Sequence, residues 1–80
     1  MNIITSIALL CNLFFVDSTT KEALVGVKVQ TEKHIYYSDH SGSVDIPKGE
    51  KVINISYISY NDVSKSFTCR MDSVIKLKNH

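Results

Sequence analysis

Short apolar segments, separated by turn residues about every ten positions, run through the whole chain. Within a segment, apolar and polar side chains alternate, as they do in residues 25–30 and 52–60. A period of two is typical of half-buried strands, whereas an amphipathic helix repeats about every 3.6 residues. The pattern therefore predicts an all-β fold.

Seven strands follow from this pattern, and they predict a two-sheet antiparallel β-sandwich with Greek-key connections. The first strand runs from Leu9 to Val16, and the others cover residues 25–30, 34–38, 43–46, 52–60, 63–68 and 74–78. Between the strands, Asp caps its own turn, Gly accepts positive φ and Pro ends a strand. The candidate turn residues are Asp17, Gly26, Asp39, Gly42, Pro47 and Gly49.

The length of 80 residues allows one domain, which we place at residues 11–78. Nine Lys and Arg residues against eight Asp and Glu residues leave a formal net charge of +1. A net charge this small excludes the large basic surface of a nucleic-acid binder or of a polybasic membrane anchor.

The N-terminal residues 1–16 are strongly apolar and carry no charged side chain. They are fewer than the roughly 20 residues that a transmembrane helix needs. Their length suits a secretory signal, but they lack a basic start and a small-residue cleavage site. Residues 1–10 are therefore predicted to be either a signal remnant or an extension of the first strand. An apolar strand from Leu9 to Val16 at a sheet edge also favours self-association by strand pairing.

Cys11 and Cys69 are the two cysteines of the chain. The interpretation that we favour is two separate thiols that behave as small apolar side chains. A disulfide that closes a long loop is the alternative in an oxidising compartment. Lipidation of Cys11 is a further alternative for an exported chain, and association with a membrane is expected only in that case.

Residue types suited to metal binding or catalysis are present, but their spacing matches no known site. His34, Asp39, His40 and Asp45 carry ligating groups without the spacing of a metal cage. The chain has no G-x-S-x-G nucleophile elbow, and a sandwich of 80 residues offers little concave volume. We therefore predict no enzyme activity, no metal and no cofactor.

Three segments resemble a known family when they are taken in order and with their spacing. Residues 16–29 read V-D-x-T-T-x-E-A-L-x-G-V-x-V, residues 38–47 read S-D-x-x-G-S-V-x-I-P, and residues 53–60 read I-x-I-S-Y-I-S-Y. Together with the closing strand at residues 74–77, they resemble the carboxypeptidase regulatory-like domain, over about residues 11–78. The sequence departs from the family pattern at Leu13 and Ser59, where glycine is expected, and at Ala23, where proline is expected.

The resemblance implies a transthyretin-like, Ig-like sandwich that acts as a noncatalytic accessory module. Such domains occur in carboxypeptidases and at the N-termini of TonB-dependent outer-membrane receptors. The implied location is therefore the cell envelope, in the periplasm or at the outer membrane, with a cytoplasmic location if the N-terminus is not a signal. The implied partner is a protein, or a second copy through the strand from Leu9 to Val16.

Tyr36, Ile58 and Tyr60 are the candidate partner surface, because an exposed aromatic patch often marks an interaction site. The alternative function is a small carbohydrate- or peptide-binding module at this surface or at the turn of residues 39–43. A self-associating structural protein is the third hypothesis.

Overall fold

A computed structural model describes residues 10–64 and 66–79, and these residues form two β-sheets. The strands are β1 (Leu10–Asp17), β2 (Lys28–Thr31), β3 (Ile35–Tyr37), β4 (Ser43–Pro47), β5 (Lys51–Ser56), β6 (Phe67–Thr68) and β7 (Ser73–Leu77). The predicted all-β class and the prediction of seven strands are confirmed over the described residues. The signal or strand extension predicted for residues 1–10 falls outside the described residues, except at Leu10.

β1 lies in the middle of the three-stranded sheet, which has the order β4-β1-β7. It pairs with β4 from Leu10 to Phe14 and with β7 from Leu13 to Asp17. The prediction that this strand forms a sheet edge is therefore wrong, because its two neighbours occupy its backbone groups on both sides. The second sheet has four strands in the order β3-β2-β5-β6.

The first and last strands, β1 and β7, run parallel to each other. The other strand pairs are antiparallel, so the prediction of a purely antiparallel fold is wrong at this one place. A tight hairpin joins antiparallel strands, whereas a parallel pair needs a long crossover. Here the crossover passes through the four-stranded sheet before the chain returns as β7.

The core is one cluster of apolar side chains drawn from both sheets. In β1, side chains at alternate positions point into it, so that Leu13 and Phe15 are fully buried while Phe14 is 40% exposed. The buried apolar residues are Cys11, Leu13, Phe15, Leu24, Val27, Val29, Val44, Ile46, Val52, Ile55, Cys69 and Leu77.

Cys11 and Cys69 form a disulfide, with their Cα atoms 6.0 Å apart. The favoured interpretation of two separate thiols is therefore wrong. Cys11 points inward from β1 and Cys69 directly follows β6, so the bridge ties the two sheets together from inside the core. In this state the sulfur of Cys11 is not available for lipidation.

β5 departs from simple alternation because it contains a bulge. Gln30 pairs with Asn54, but the next residue, Thr31, pairs with Val52, so Ile53 is an extra residue. The bulge brings both Val52 and Ile55 to the core, although strict alternation predicts opposite faces for them. The strand ends at Ser56, so the prediction of a strand over residues 52–60 is wrong beyond that point.

Two other strands begin several residues later than predicted. β2 begins at Lys28, and Val25, which alternation predicts to be inward, is exposed. β6 covers only Phe67–Thr68, although Val63 pairs with Ile55 as an isolated bridge. No helix long and apolar enough to cross a membrane occurs within residues 10–64 and 66–79.

Gly42→Ala is expected to destabilise the protein more than Gly26→Ala does. Both glycines have positive φ, which costs an L-residue about 1–2 kcal/mol. At Gly42 a Cβ would also lie 2.8 Å from the carbonyl oxygen of Phe15, whereas at Gly26 it meets nothing within 4 Å. Urea unfolding of the two variants measures the difference, and equal midpoints would contradict the close approach at Gly42.

Candidate functional site

One end of β1 pairs with Pro47 of β4. Near this end, Glu50 has the most enclosed carboxylate. It sits in the turn between β4 and β5, with a side chain that is 7% exposed. Its Oε2 atom accepts hydrogen bonds from the hydroxyls of Thr31 and Tyr36, the latter at 3.1 Å. Nδ1 of His34 lies 3.5 Å from the same oxygen, with the imidazole largely exposed.

These contacts hold Glu50 in its charged form. The hydrogen bond from Thr31 is the main cause that lowers the pKa of Glu50, and those from Tyr36 and His34 add to it against the opposing effect of burial. Burial, followed by the hydrogen bond to Glu50, raises the pKa of the Tyr36 phenol. The cluster is thus a negative charge held by hydrogen bonds, which joins the β2–β3 hairpin to the β4–β5 turn.

Glu50→Gln is expected to make stability less dependent on pH in the acid range. Because the folded pKa of Glu50 is lowered, its contribution is complete above the usual pKa of glutamate and is lost as the pH falls through the folded value. Urea midpoints between about pH 7 and pH 3 measure this loss, and the unfolded reference pKa is about 4.3.

Tyr36→Phe is the matched variant for this measurement, since it removes one donor and keeps the acid. Its pH profile should lie between those of the wild type and Glu50→Gln. A Glu50→Gln profile parallel to that of the wild type would show that the cluster does not stabilise the charged carboxylate.

Asp17 forms a second buried carboxylate cluster at the other end of β1. Its Oδ2 atom accepts a hydrogen bond of 2.6 Å from the Tyr60 hydroxyl. Its Oδ1 atom accepts from the backbone N–H groups of Thr19 and Thr20 at 2.7 Å and 2.9 Å. The bond from Tyr60 is the main cause that lowers the pKa of Asp17, and the same bond is the main cause that raises the pKa of Tyr60.

The predicted surface of Tyr36, Ile58 and Tyr60 is not gathered into one patch. The hydroxyl of Tyr36 binds Glu50, near the end of β1 where Leu10 pairs with Pro47, whereas that of Tyr60 binds Asp17. β1 spans about 23 Å between these ends, at about 3.3 Å per residue. Ile58 is 83% exposed in the loop after β5, while both tyrosines are half-buried and pack against the core.

The candidate turn residues all lie at bends or strand ends. Asp39 caps its own turn, because its Oδ1 accepts from the N–H groups of Ser41 and Ser43, and these bonds, that from Ser43 first, lower its pKa. Gly26, Gly42 and Gly49 have positive φ, and Pro47 ends β4.

Sequence reasoning missed Thr31 and Glu50. Thr31 is buried and its hydroxyl accepts from the backbone N–H of His34 at 2.9 Å, which closes the β2–β3 hairpin. A threonine followed by a charged break was a signal for this turn. Nothing in the sequence distinguishes Glu50 from the other acids, because its partners come from a different hairpin.

The β3 edge strand carries two exposed apolar side chains, Ile35 at 50% and Tyr37 at 62%. Both belong to the outer face of the four-stranded sheet, beside Gln30 and Lys28 of β2. Exposed apolar groups on a strand at a sheet edge mark a surface suited to pairing with another chain.

Comparison with known proteins gives no assignment: no family model and no curated protein matches the chain. Within residues 10–64 and 66–79, no group of His, Cys, Asp or Glu side chains is arranged to hold a metal ion. His34, Asp39, His40 and Asp45 are therefore not brought together as a metal site in this part of the chain.

Proposed function

We propose that this chain is a noncatalytic accessory module, a β-sandwich of the carboxypeptidase regulatory-like type, that mediates protein interaction or assembly in the cell envelope. The exposed apolar edge strand β3 is the observation that carries the proposal, because an uncovered edge offers backbone groups and side chains to a protein partner. The order and spacing of the motif residues support the family type.

The Cys11–Cys69 disulfide supports the location. Structural disulfides persist in secreted and periplasmic proteins and are rare in the reducing cytosol. A buried bridge between two sheets suits a small domain, which gains little stability from its limited core.

The two buried acids support a noncatalytic role. Asp17 and Glu50 are each occupied by hydrogen bonds from their own chain, and both have lowered pKa values. A general acid or base usually has a pKa raised toward neutrality and an open side that faces a substrate. These carboxylates therefore act to stabilise the fold.

Intact mass of the protein from its native host, with and without thiol alkylation, tests the location. We expect an envelope fraction in which neither cysteine is alkylated and about the first ten residues, predicted above as a possible signal remnant, have been removed. A cytosolic chain that retains Met1 and has two alkylated thiols would overturn the envelope assignment.

A photo-crosslinking residue at position 35, introduced in the host, tests the interaction role. We expect protein adducts from Ile35 and none from a matched probe at Val74, which is 62% exposed on β7 of the other sheet. Equal adducts at the two positions, or none at Ile35, would contradict a partner surface at β3.

A further inference from the structure

The backbone of β3 is open along its outer edge. Ser38 donates its N–H to the carbonyl of Val27, and His34 accepts from the N–H of Thr31. Because residues in an antiparallel pair alternate, Tyr36 also bonds toward β2, whereas Ile35 and Tyr37 direct their N–H and C=O groups away from it. No other described residue bonds to these backbone groups of Ile35 and Tyr37.

The neighbouring edge strand β4 is less open to a partner. The N–H and C=O groups of Ser43 both bond to Asp39, and the carbonyl of Pro47 accepts from Glu50. The exposed side chain between them, Asp45, is charged. Charge, proline and occupied backbone groups are common protections of an edge strand, and β3 has none of them at Ile35 and Tyr37.

We propose that a second copy of this chain pairs with β3 antiparallel, about a two-fold axis at Tyr36, to form one continuous sheet across the dimer. Ile35 of one copy then lies opposite Tyr37 of the other. Each of these residues offers one N–H and one C=O, so the two pairs make four hydrogen bonds across the axis. This inference rests on the assembly role proposed above and names its partner.

The side chains are self-complementary in this register. Ile35 faces Tyr37 of the second copy on the outer face of the sheet, and aromatic and β-branched residues pair favourably across strands. Lys33 precedes the strand and Asp39 follows it, so an antiparallel partner brings Lys33 of one copy near Asp39 of the other. Opposite charges therefore meet at both ends of the contact, which favours this alignment over a parallel one.

Sedimentation of the purified, oxidised protein between about 10 µM and about 1 mM tests the dimer, a range that covers weak association. In hydrogen exchange over the same range, we expect the amides of Ile35 and Tyr37 to become protected as the concentration rises. The amide of Asp45, on the edge of β4, is the internal control and should not change.

Ile35→Lys should weaken the dimer by at least about tenfold, because it places two lysines diagonally across the new strand pair. Val74→Lys is the matched control: it adds the same charge at an exposed position of β7 and should leave the dimer unchanged. Near-wild-type urea midpoints will show that both variants fold.

A monomer throughout this range, or a dimer that Val74→Lys disrupts and Ile35→Lys does not, would overturn the pairing at β3. A dimer without protection at Ile35 and Tyr37 would do so as well. Such results concern only the identity of the partner, since disulfide state, location and crosslinking in the host test the proposed function separately.

Discussion

Loss of the Cys11–Cys69 disulfide is expected to lower the free energy of unfolding by about 4 kcal/mol. The two cysteines are 58 positions apart, so the bridge constrains most of the unfolded chain. Domains of this size are stable by only about 5 kcal/mol or little more. The reduced protein should therefore unfold at low concentrations of urea.

Urea unfolding with and without a thiol reductant measures this effect in the wild type. The Cys11→Ala, Cys69→Ala double variant is the control, because the reductant should not alter its midpoint. If the wild type kept its midpoint after both thiols had been shown to be free, the bridge would not be a source of stability.

Phe15→Ala is expected to cost about 3–5 kcal/mol, the usual range for removing a buried phenylalanine ring. Phe15 is fully buried and is the largest of the fully buried side chains. The adjacent Phe14→Ala is the matched control, with the same change on the same strand but on the exposed face, and it should cost under about 1 kcal/mol.

Thermal or urea unfolding of these two variants tests which face of β1 forms the core. The disulfide should be intact in both, so that differences reflect packing alone. Similar losses at the two positions would contradict the inward alternation of Cys11, Leu13 and Phe15.

The sequence pattern predicts strands best where one face is buried and the alternation is regular. β1, β4 and β7 meet this condition, and their predicted bounds agree with the structure to within one residue at each end. β5 does not, because the bulge at Ile53 changes which side chains face inward. In the turn that follows Ser56, Ser59 adopts a positive φ, which is incompatible with the extended conformation that the apolar residues around it suggest.

Long-range partners were harder to predict than strands. The parallel pairing of β1 with β7 depends on how the chain crosses between sheets, and alternation carries no information on that. The partners of Glu50 are equally hard to predict from the sequence, because Thr31 and Tyr36 reach it from another hairpin. The sequence predicts exposed aromatic rings for Tyr36 and Tyr60, whereas in the structure their hydroxyls donate hydrogen bonds to buried acids.

The parallel arrangement of β1 and β7 also determines how the molecule would respond to tension. The chain enters β1 at Leu10 and leaves β7 at Leu77, and these two points lie toward opposite ends of the strand pair. A pull on the two flanking segments therefore acts along the strands, in shear, and strains their hydrogen bonds simultaneously rather than one after another. The Cys11–Cys69 bridge would carry that force directly across the fold, so that only the residues after Cys69, β7 among them, could be extended while the remaining strands stay in place.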